Sequence, residues 1–185
     1  MKPIRHELIC RSAATVIAER GYAGTTMALV AAQAEVSTGM LNHYFESRAD
    51  MLKHTLVYVS ERTHARVTAA MGGVPPGRDR VQAFLGAMLP TDAESIEAWR
   101  VWIASFGESV RSMPLREAIE GRLRPWYALL DRALEGFEDR YDAGIPLAWQ
   151  VEAMLDGLCI QHLASDYALT LADIERTILA FVIPE

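Results

Sequence analysis

The helical spacing of apolar residues is the feature that most restricts the fold of this chain. Ile9, Ala13 and Ile17 recur at intervals of four residues, and similar stripes follow along the rest of the sequence. No stretch alternates β-branched and polar residues as a half-buried strand would. The chain is therefore predicted to be all-α, and its 185 residues are enough to bury a sizeable core.

Turn and capping residues divide these stripes into about nine helices. The first is predicted at 4–20 and ends at Gly21. Two short helices follow, the first capped by Thr25 or Thr26 and the second by Ser37 or Thr38. The later helices are predicted at 47–71, 78–89, 93–112, 114–139, 146–168 and 170–183, with a kink at Pro125 and loops at 72–77 and 141–146.

Charge is divided unevenly along the chain. Residues 1–66 carry eight basic and six acidic side chains, a net charge of +2, whereas residues 67–185 carry ten basic and eighteen acidic ones, a net charge of −8. The first third would tolerate a polyanion that the rest would repel. No window approaches the roughly 18 uncharged apolar residues of a membrane span, and the first residues lack the apolar core of a signal peptide. The expectation is a cytoplasmic protein with no membrane partner.

The sequence contains no clear motif for a metal site or a disulfide bond. Cys10 and Cys159 are far apart and form no Cys-x-x-Cys motif, so both are predicted to be small core residues. Glu61 and His64 have the Glu-x-x-His spacing of di-metal helical bundles, but it occurs once where such bundles use it twice. The sequence therefore predicts no enzyme, no metal site and no cofactor.

Two short helices joined by a tight turn are the plan of a helix-turn-helix, whose second helix lies in the DNA major groove. On that helix Leu41 and Phe45 are expected to face inward. Asn42 could make paired hydrogen bonds to adenine, and Gly39 would let the backbone approach the duplex. A Ser/Thr cap before a short amphipathic helix also occurs in helical proteins that bind no DNA, so an interaction protein without DNA binding remains the alternative.

Residues 9–52 resemble the DNA-binding domain of TetR-family repressors. The shared pattern runs I-x-x-x-A-A-x-x-I-x-x-x-G-Y-x-x-T-T and then V-A-x-x-A-x-V-S-x-G-x-L-x-x-Y-F-x-S-R. Glu35 stands where the family usually has glycine, and Asn42 where it often has tyrosine; Glu35 is tolerable if its backbone is not left-handed. The resemblance implies a helix-turn-helix domain at 1–46 and a helical effector and dimerisation domain at 47–185. It implies DNA contacts by Thr26, Ser37, Thr38, Gly39, Met40, Asn42, His43, Tyr44 and Arg48.

The second half resembles the choline-responsive betaine repressor branch, BetI, in A-W-x-x-W-x-A-S-F and in the late L-D-G-L. That likeness implies a ligand-controlled repressor released from a palindromic operator by a small-molecule effector. The candidates for an apolar effector pocket are Trp99, Trp102, Phe106, Trp126 and Tyr127, although a place in the core is the alternative for each. An aromatic cage for a quaternary ammonium also needs a carboxylate, which the sequence does not identify.

The helix at 146–168 is apolar on two sides, and a monomer would bury only one of them. A second subunit would cover the other side, so a homodimer is expected. The predicted interface comprises Trp149, Ala153, Gly157, Ile160, Ala164, Ile174, Ile178 and Phe181. The alternative is a helix that is buried on all sides within its own domain.

Overall fold

The computed structural model describes residues 2–137, 144–165 and 169–183, with only the backbone of residues 2–4. Within these residues the regular elements are nine α-helices, which confirms the all-α prediction. They are α1 (Lys2–Gly24), α2 (Met27–Gln33), α3 (Thr38–Tyr44), α4 (Arg48–Met71), α5 (Arg78–Met88), α6 (Ala93–Ser109), α7 (Met113–Ala133), α8 (Leu147–Ala164) and α9 (Leu171–Val182). No helix in the described part of the chain is both long and apolar enough to cross a bilayer.

Several helix ends differ from the predicted ones, and α6, predicted to reach 112, ends at Ser109. In α1 Gly21 has φ 66° and ψ 176°, so the regular helix stops where the sequence predicted, although one further turn follows. The prediction that α7 reaches 139 is wrong, because this helix ends at Ala133 and Gly136 then adopts φ 94°, which side-chain-bearing residues rarely do. The prediction that α8 reaches 168 is also wrong, because the helix ends at Ala164 and Ser165 has extended backbone. The predicted loop at 141–146 lies partly outside the described residues.

The first of two compact units comprises Met1–Thr63 and Ile96–Leu123. Its core is built from apolar side chains of α1, α2, α3, α4, α6 and α7, with Ile9, Ile17, Leu41 and Leu56 fully buried. Two hydrogen bonds connect α6 to α1. The Tyr22 hydroxyl lies 3.0 Å from Ser105 Oγ, and Thr15 Oγ1 donates to Glu97 Oε2 at 2.8 Å.

The second unit comprises His64–Ser95 and Arg124–Glu185. Its fully buried side chains include Phe84 of α5, Leu130 of α7, Leu155 of α8 and Ile174 of α9. A capping box starts α9, because Thr170 and Asp173 accept hydrogen bonds from each other's backbone N–H. Since α4, α6 and α7 each contribute residues to both units, the functional division at 46/47 stays a prediction.

Candidate functional site

The turn between α2 and α3 is fixed by backbone hydrogen bonds. The Val36 N–H donates to Ala31 O at 3.0 Å, and the Glu35 N–H donates to Ala32 O at 3.2 Å. This pair of bonds is the Schellman arrangement, which places the residue after the helix in the left-handed region. Glu35 has φ 55° and occupies that position. Glu35 was expected to be tolerated only if its backbone were not left-handed, and that expectation is not met. A left-handed backbone disfavours glutamate by about 1–2 kcal/mol relative to glycine.

Helix α3 separates a buried side from an exposed side. Leu41 and Phe45 are 0% and 2% exposed, which confirms that they face inward. The remaining side chains of the predicted reading surface are exposed or half-buried, namely Thr38, Gly39, Met40, Asn42, His43 and Tyr44. A two-turn helix held by two buried apolar residues therefore offers a polar outer face.

Gly39 lies on that outer face with an open approach. A Cβ built on Gly39 would meet only Ser37 Oγ within the protein, at 3.8 Å, which is an ordinary contact. Gly39 also has no positive φ. Neither the backbone conformation nor the packing around this position in the described residues therefore requires glycine.

Both short helices begin at a hydroxyl cap, which resolves the two alternatives left by the sequence. Thr26 Oγ1 accepts from the Leu29 N–H at 3.2 Å, and Ser37 Oγ accepts from the Met40 N–H at the same distance. Each hydroxyl is exposed and still has its own O–H to donate, so a phosphate oxygen is a chemically suitable partner.

The side chain of Arg48 makes hydrogen bonds to the backbone of the same chain. Its Nε donates to Thr25 O at 2.5 Å, and its Nη2 donates to Tyr22 O. The guanidinium thereby joins the start of α4 to the turn before α2. A phosphate contact by Arg48 is left to its other N–H groups and stays a prediction.

Two residues near the start of α1 contact α3 or its end, and the sequence analysis did not single them out. The exposed Arg5 reaches Met40, with Nη1 3.9 Å from Sδ. The His6 ring lies 5.1 Å from the Phe45 ring and 5.0 Å from the His54 ring. Burial and the neighbouring His54 lower the pKa of His6, although Asp50 opposes this. No motif marks Arg5, whose place beside the outer face depends on packing between distant segments.

The aromatic residues predicted to bind an effector fall into both units. In the first unit Trp99 is 6% exposed and Trp102 packs against the core, which favours the core interpretation for both. Phe106 is 42% exposed and its ring lies 5.7 Å from that of Trp102.

Trp126 and Tyr127 belong to the second unit and have aromatic neighbours there. The Trp126 ring lies 5.9 Å from that of Phe84, and the Tyr127 ring stacks on Trp149 at 4.7 Å with an interplanar angle of 2°. Trp149 is 52% exposed, so the outer end of this stack is open to solvent. Four aromatic rings from α5, α7 and α8 thus form two pairs in one unit.

A pair of half-buried acids accompanies these rings. Glu152 and Asp156 follow Trp149 at i+3 and i+7 and lie on the same side of α8. Burial and the neighbouring Asp156 raise the pKa of Glu152 to about 8, and burial raises the pKa of Asp156 to about 6. Burial and both acids also raise the pKa of Tyr127, so the phenol, the carboxyls and the stacked rings share one region.

Two buried polar atoms in this region have no hydrogen-bond partner within the described part of the chain, Glu152 Oε2 and Trp126 Nε1. The indole acts as a nearby donor that lowers the pKa of Glu152, but the atoms do not meet the distance and angle of a hydrogen bond. Unpaired buried polar atoms are uncommon in proteins and call for an explanation. Glu152 and Asp156 are the carboxylates that an aromatic cage for a quaternary ammonium would need, and their i, i+4 spacing in the sequence is a signal for them.

The predicted dimer interface is partly available on the surface. Trp149 and Ile160 of α8 are 52% and 40% exposed, and Ala153 and Ala164 on the same face are also exposed. Gly157 and Phe181 are half-buried. The prediction is wrong for Ile174 and Ile178, because both are fully buried within the second unit and have no surface to offer a partner.

The residues considered for metal chemistry have other contacts. Glu61 Oε1 accepts from Arg122 Nη1 at 3.3 Å, and His64 Nδ1 lies 3.5 Å from Thr68 Oγ1. No group of three or more His, Cys, Asp or Glu side chains in the described ranges is placed to hold a metal ion. Cys10 and Cys159 are both buried and unpaired with each other, as core cysteines are.

Comparison with known proteins accounts for most of the chain. Residues 9–55 match the family described as bacterial regulatory proteins, tetR family, and residues 76–183 match the family described as BetI-type transcriptional repressor, C-terminal. The chain is 29% identical over 165 residues to the HTH-type transcriptional regulator BetI of Rhizobium meliloti strain 1021, covering 88% of this chain and 79% of that protein. The BetI of Klebsiella pneumoniae strain 342 is 27% identical over 169 residues, covering 87% and 83%.

Solved structures share the fold. A transcriptional regulator from Saccharomonospora viridis in complex with choline superposes with a TM-score of 0.84 at 22% identity, covering 98% of this chain and 96% of that one. Because the BetI-type match alone spans more than half of the sequence, family membership is established. This family consists of transcriptional regulators rather than enzymes. The chain belongs to the TetR family and is a transcriptional repressor with a BetI-type C-terminal domain.

Proposed function

We propose that this repressor binds a palindromic operator as a homodimer and is released from it by a small organic cation. The observation that carries the DNA-binding part is the two-sided helix α3, which buries Leu41 and Phe45 and exposes the side chains around Asn42. In a helix-turn-helix such a helix enters the major groove.

The outer face divides into base-reading and phosphate-binding groups by its chemistry. Thr38 can contact a thymine methyl, and Asn42 can donate to and accept from adenine in one plane. The hydroxyl donors of Thr26, Ser37 and Tyr44 suit phosphate oxygens. His43, whose ring meets that of Tyr44 edge-on at 5.6 Å, belongs to the same phosphate-facing group. The exposed Arg5 adds a positive charge beside Met40.

The homodimer is proposed to form through the outer face of α8. Trp149, Ala153, Ile160 and Ala164 give this face exposed apolar surface, and Gly157 lets a partner helix approach closely. Two α3 helices held at a fixed separation would read half-sites one helical turn, or a multiple of it, apart.

The effector site is proposed to lie among Trp126, Tyr127, Trp149, Glu152 and Asp156 of the second unit. Aromatic faces attract a quaternary ammonium by about 0.5–2 kcal/mol per ring, and a carboxylate supplies the countercharge. The relative from Saccharomonospora viridis binds choline, which has this chemistry. The same charge makes the site unsuitable for an anionic effector.

Release is proposed to act through α4. Residues 48–63 of this helix belong to the first unit and residues 64–71 to the second, and α4 follows the reading helix after three residues. A shift of α4 on cation binding would change the separation of the two α3 helices and weaken both half-site contacts together.

A selection from random duplexes tests the DNA-binding part. The expected product is an inverted repeat, and affinity for it should fall steeply between about 50 and 200 mM salt because phosphate contacts release counterions. No enrichment after repeated rounds, or affinity that is indifferent to salt, would contradict it.

Choline titration against the selected duplex tests the effector part. Choline is expected to lower the fluorescence anisotropy of the labelled operator in wild-type protein, and Glu152→Gln should need a much higher concentration. Glu120→Gln, an exposed glutamate on α7, is the matched control and should respond as wild type does. Equal choline responses in all three proteins would remove the acid pair from the effector site.

A further inference from the structure

The surroundings of Glu152 and Asp156 determine how many protons the two carboxyl groups bind. Glu152 and Asp156 lie one helical turn apart, a spacing that brings side chains within about 5–6 Å of each other at Cβ. Two carboxylates at that separation repel each other, and burial strengthens the repulsion because little water screens it.

The unpaired atoms show which protonation state the protein prefers by itself. Glu152 Oε2 is fully buried with no donor to it among the described residues. Ionisation of this half-buried side chain would place negative charge on an oxygen that neither water nor a donor compensates, which costs more than a neutral acid in the same place. The acid pair thus favours one bound proton over two full charges.

A bound cation reverses this preference. An ammonium ion beside Glu152 would supply the missing countercharge. The unpaired indole N–H of Trp126 is a donor that an ionised Glu152 could use after a small realignment. Both unpaired atoms are thus accounted for when the carboxylate is charged and a cation lies next to it.

We propose that Glu152 and Asp156 share one proton in the free protein and that an organic ammonium ion binds by displacing this proton to the solvent. This proposal rests on the proposed effector site. It adds a fixed stoichiometry, in which one proton is released for each cation bound. Operator release would then depend on pH as well as on effector concentration.

The neighbouring ionisable groups do not supply this proton. Tyr127 on α7 and Cys159 on α8 face the pair, and burial together with the acids raises the pKa of each, that of Cys159 to about 12. Both therefore stay protonated near neutral pH, whether or not a cation is bound. The raised pKa of Glu152 and of Asp156 places the exchange in the physiological range.

Titration calorimetry on the full chain tests the proposal, with tetramethylammonium as the probe. Near pH 7, paired measurements in phosphate and in Tris, whose ionisation enthalpies differ, report the number of protons released. A release approaching one proton per subunit is expected. Affinity should rise by up to about tenfold per pH unit between about pH 6 and 7.5, the slope of one displaced proton.

Binding with no proton release and no pH dependence would overturn the exchange while leaving the cation site intact. No binding at any pH would overturn the cation site and the exchange together.

Two variants separate exchange from a structural role. Glu152→Gln preserves the shape of the neutral acid but has no proton to release, so its weak binding should not vary between about pH 6.5 and 8. Asp156→Asn removes the neighbouring charge that raises the pKa of Glu152, so the pH dependence should persist and move to lower pH. Unchanged proton release in Glu152→Gln would refute the assignment of the proton to this pair. Circular-dichroism spectra and melting temperatures, compared with those of Glu120→Gln, confirm that each variant is folded.

Discussion

Replacing Gly39 by alanine should make the protein more stable and its operator binding weaker. The added Cβ meets only Ser37 Oγ at 3.8 Å, and Gly39 has no positive φ, so the fold accepts the methyl group without strain. Alanine in place of glycine within a helix stabilises by about 0.5–1 kcal/mol. Gly39 lies in the first turn of α3, so the lower part of that range is expected.

The same methyl group would project from the face that is proposed to approach the duplex. If the backbone at Gly39 lies against the DNA, the dimer must move away at both half-sites, and a weakening of at least tenfold is expected. Thermal denaturation measures the first effect, and fluorescence anisotropy with the selected operator measures the second. Gly107→Ala, at a helical glycine of α6 with open space around it, is the control and should leave operator affinity unchanged. A destabilised Gly39→Ala protein would refute the structural premise, and unchanged operator affinity would refute the close approach.

Four further predictions concern other residues of the two sites. Asn42→Ala should relax base preference at one operator position, whereas Tyr44→Phe should weaken binding to all sequences alike; equal effects in a binding-site selection would refute this division. Glu35→Gly should raise the free energy of unfolding by about 1 kcal/mol because it removes a left-handed glutamate, and Glu35→Gln, which keeps that backbone, should not do so in urea denaturation. Ile160→Glu places a charge on the exposed face of α8 and should give a folded monomer at micromolar concentration by analytical ultracentrifugation; an intact dimer would exclude this face. Because the folded state binds the Glu152 proton more tightly than the unfolded state does, the stability of wild type relative to Glu152→Gln should fall as pH rises from about 4.5 to about 8, and a rise would contradict the raised pKa.

Local signals were sufficient to predict α3. The spacing of Leu41 and Phe45 gave its buried side, and the choice of caps narrowed to Ser37 or Thr38 before the structure selected Ser37. These features depend on residues within one or two helical turns of each other. For the same reason Gly21 could be predicted to end the regular part of α1.

Features that depend on packing between distant segments were not predictable in this way. Ile174 and Ile178 have a spacing that suits either a core or an interface, and only their burial in the second unit distinguishes the two. The sequence does not reveal that Glu35 has a left-handed backbone, because this conformation depends on the Schellman hydrogen bonds at the end of α2. Glu152 of α8 lies near Trp126 of α7, and no periodicity within either helix indicates this proximity.

Hydroxyl-radical footprinting of the selected operator tests the central claim most directly. Two equal protected segments are predicted, related by the dyad of the inverted repeat and centred about one helical turn, or a multiple of it, apart. Both segments should disappear together as choline is added. A single protected segment, protection without dyad symmetry, or a footprint that persists at saturating choline would contradict a cation-released dimer that reads DNA with two copies of α3.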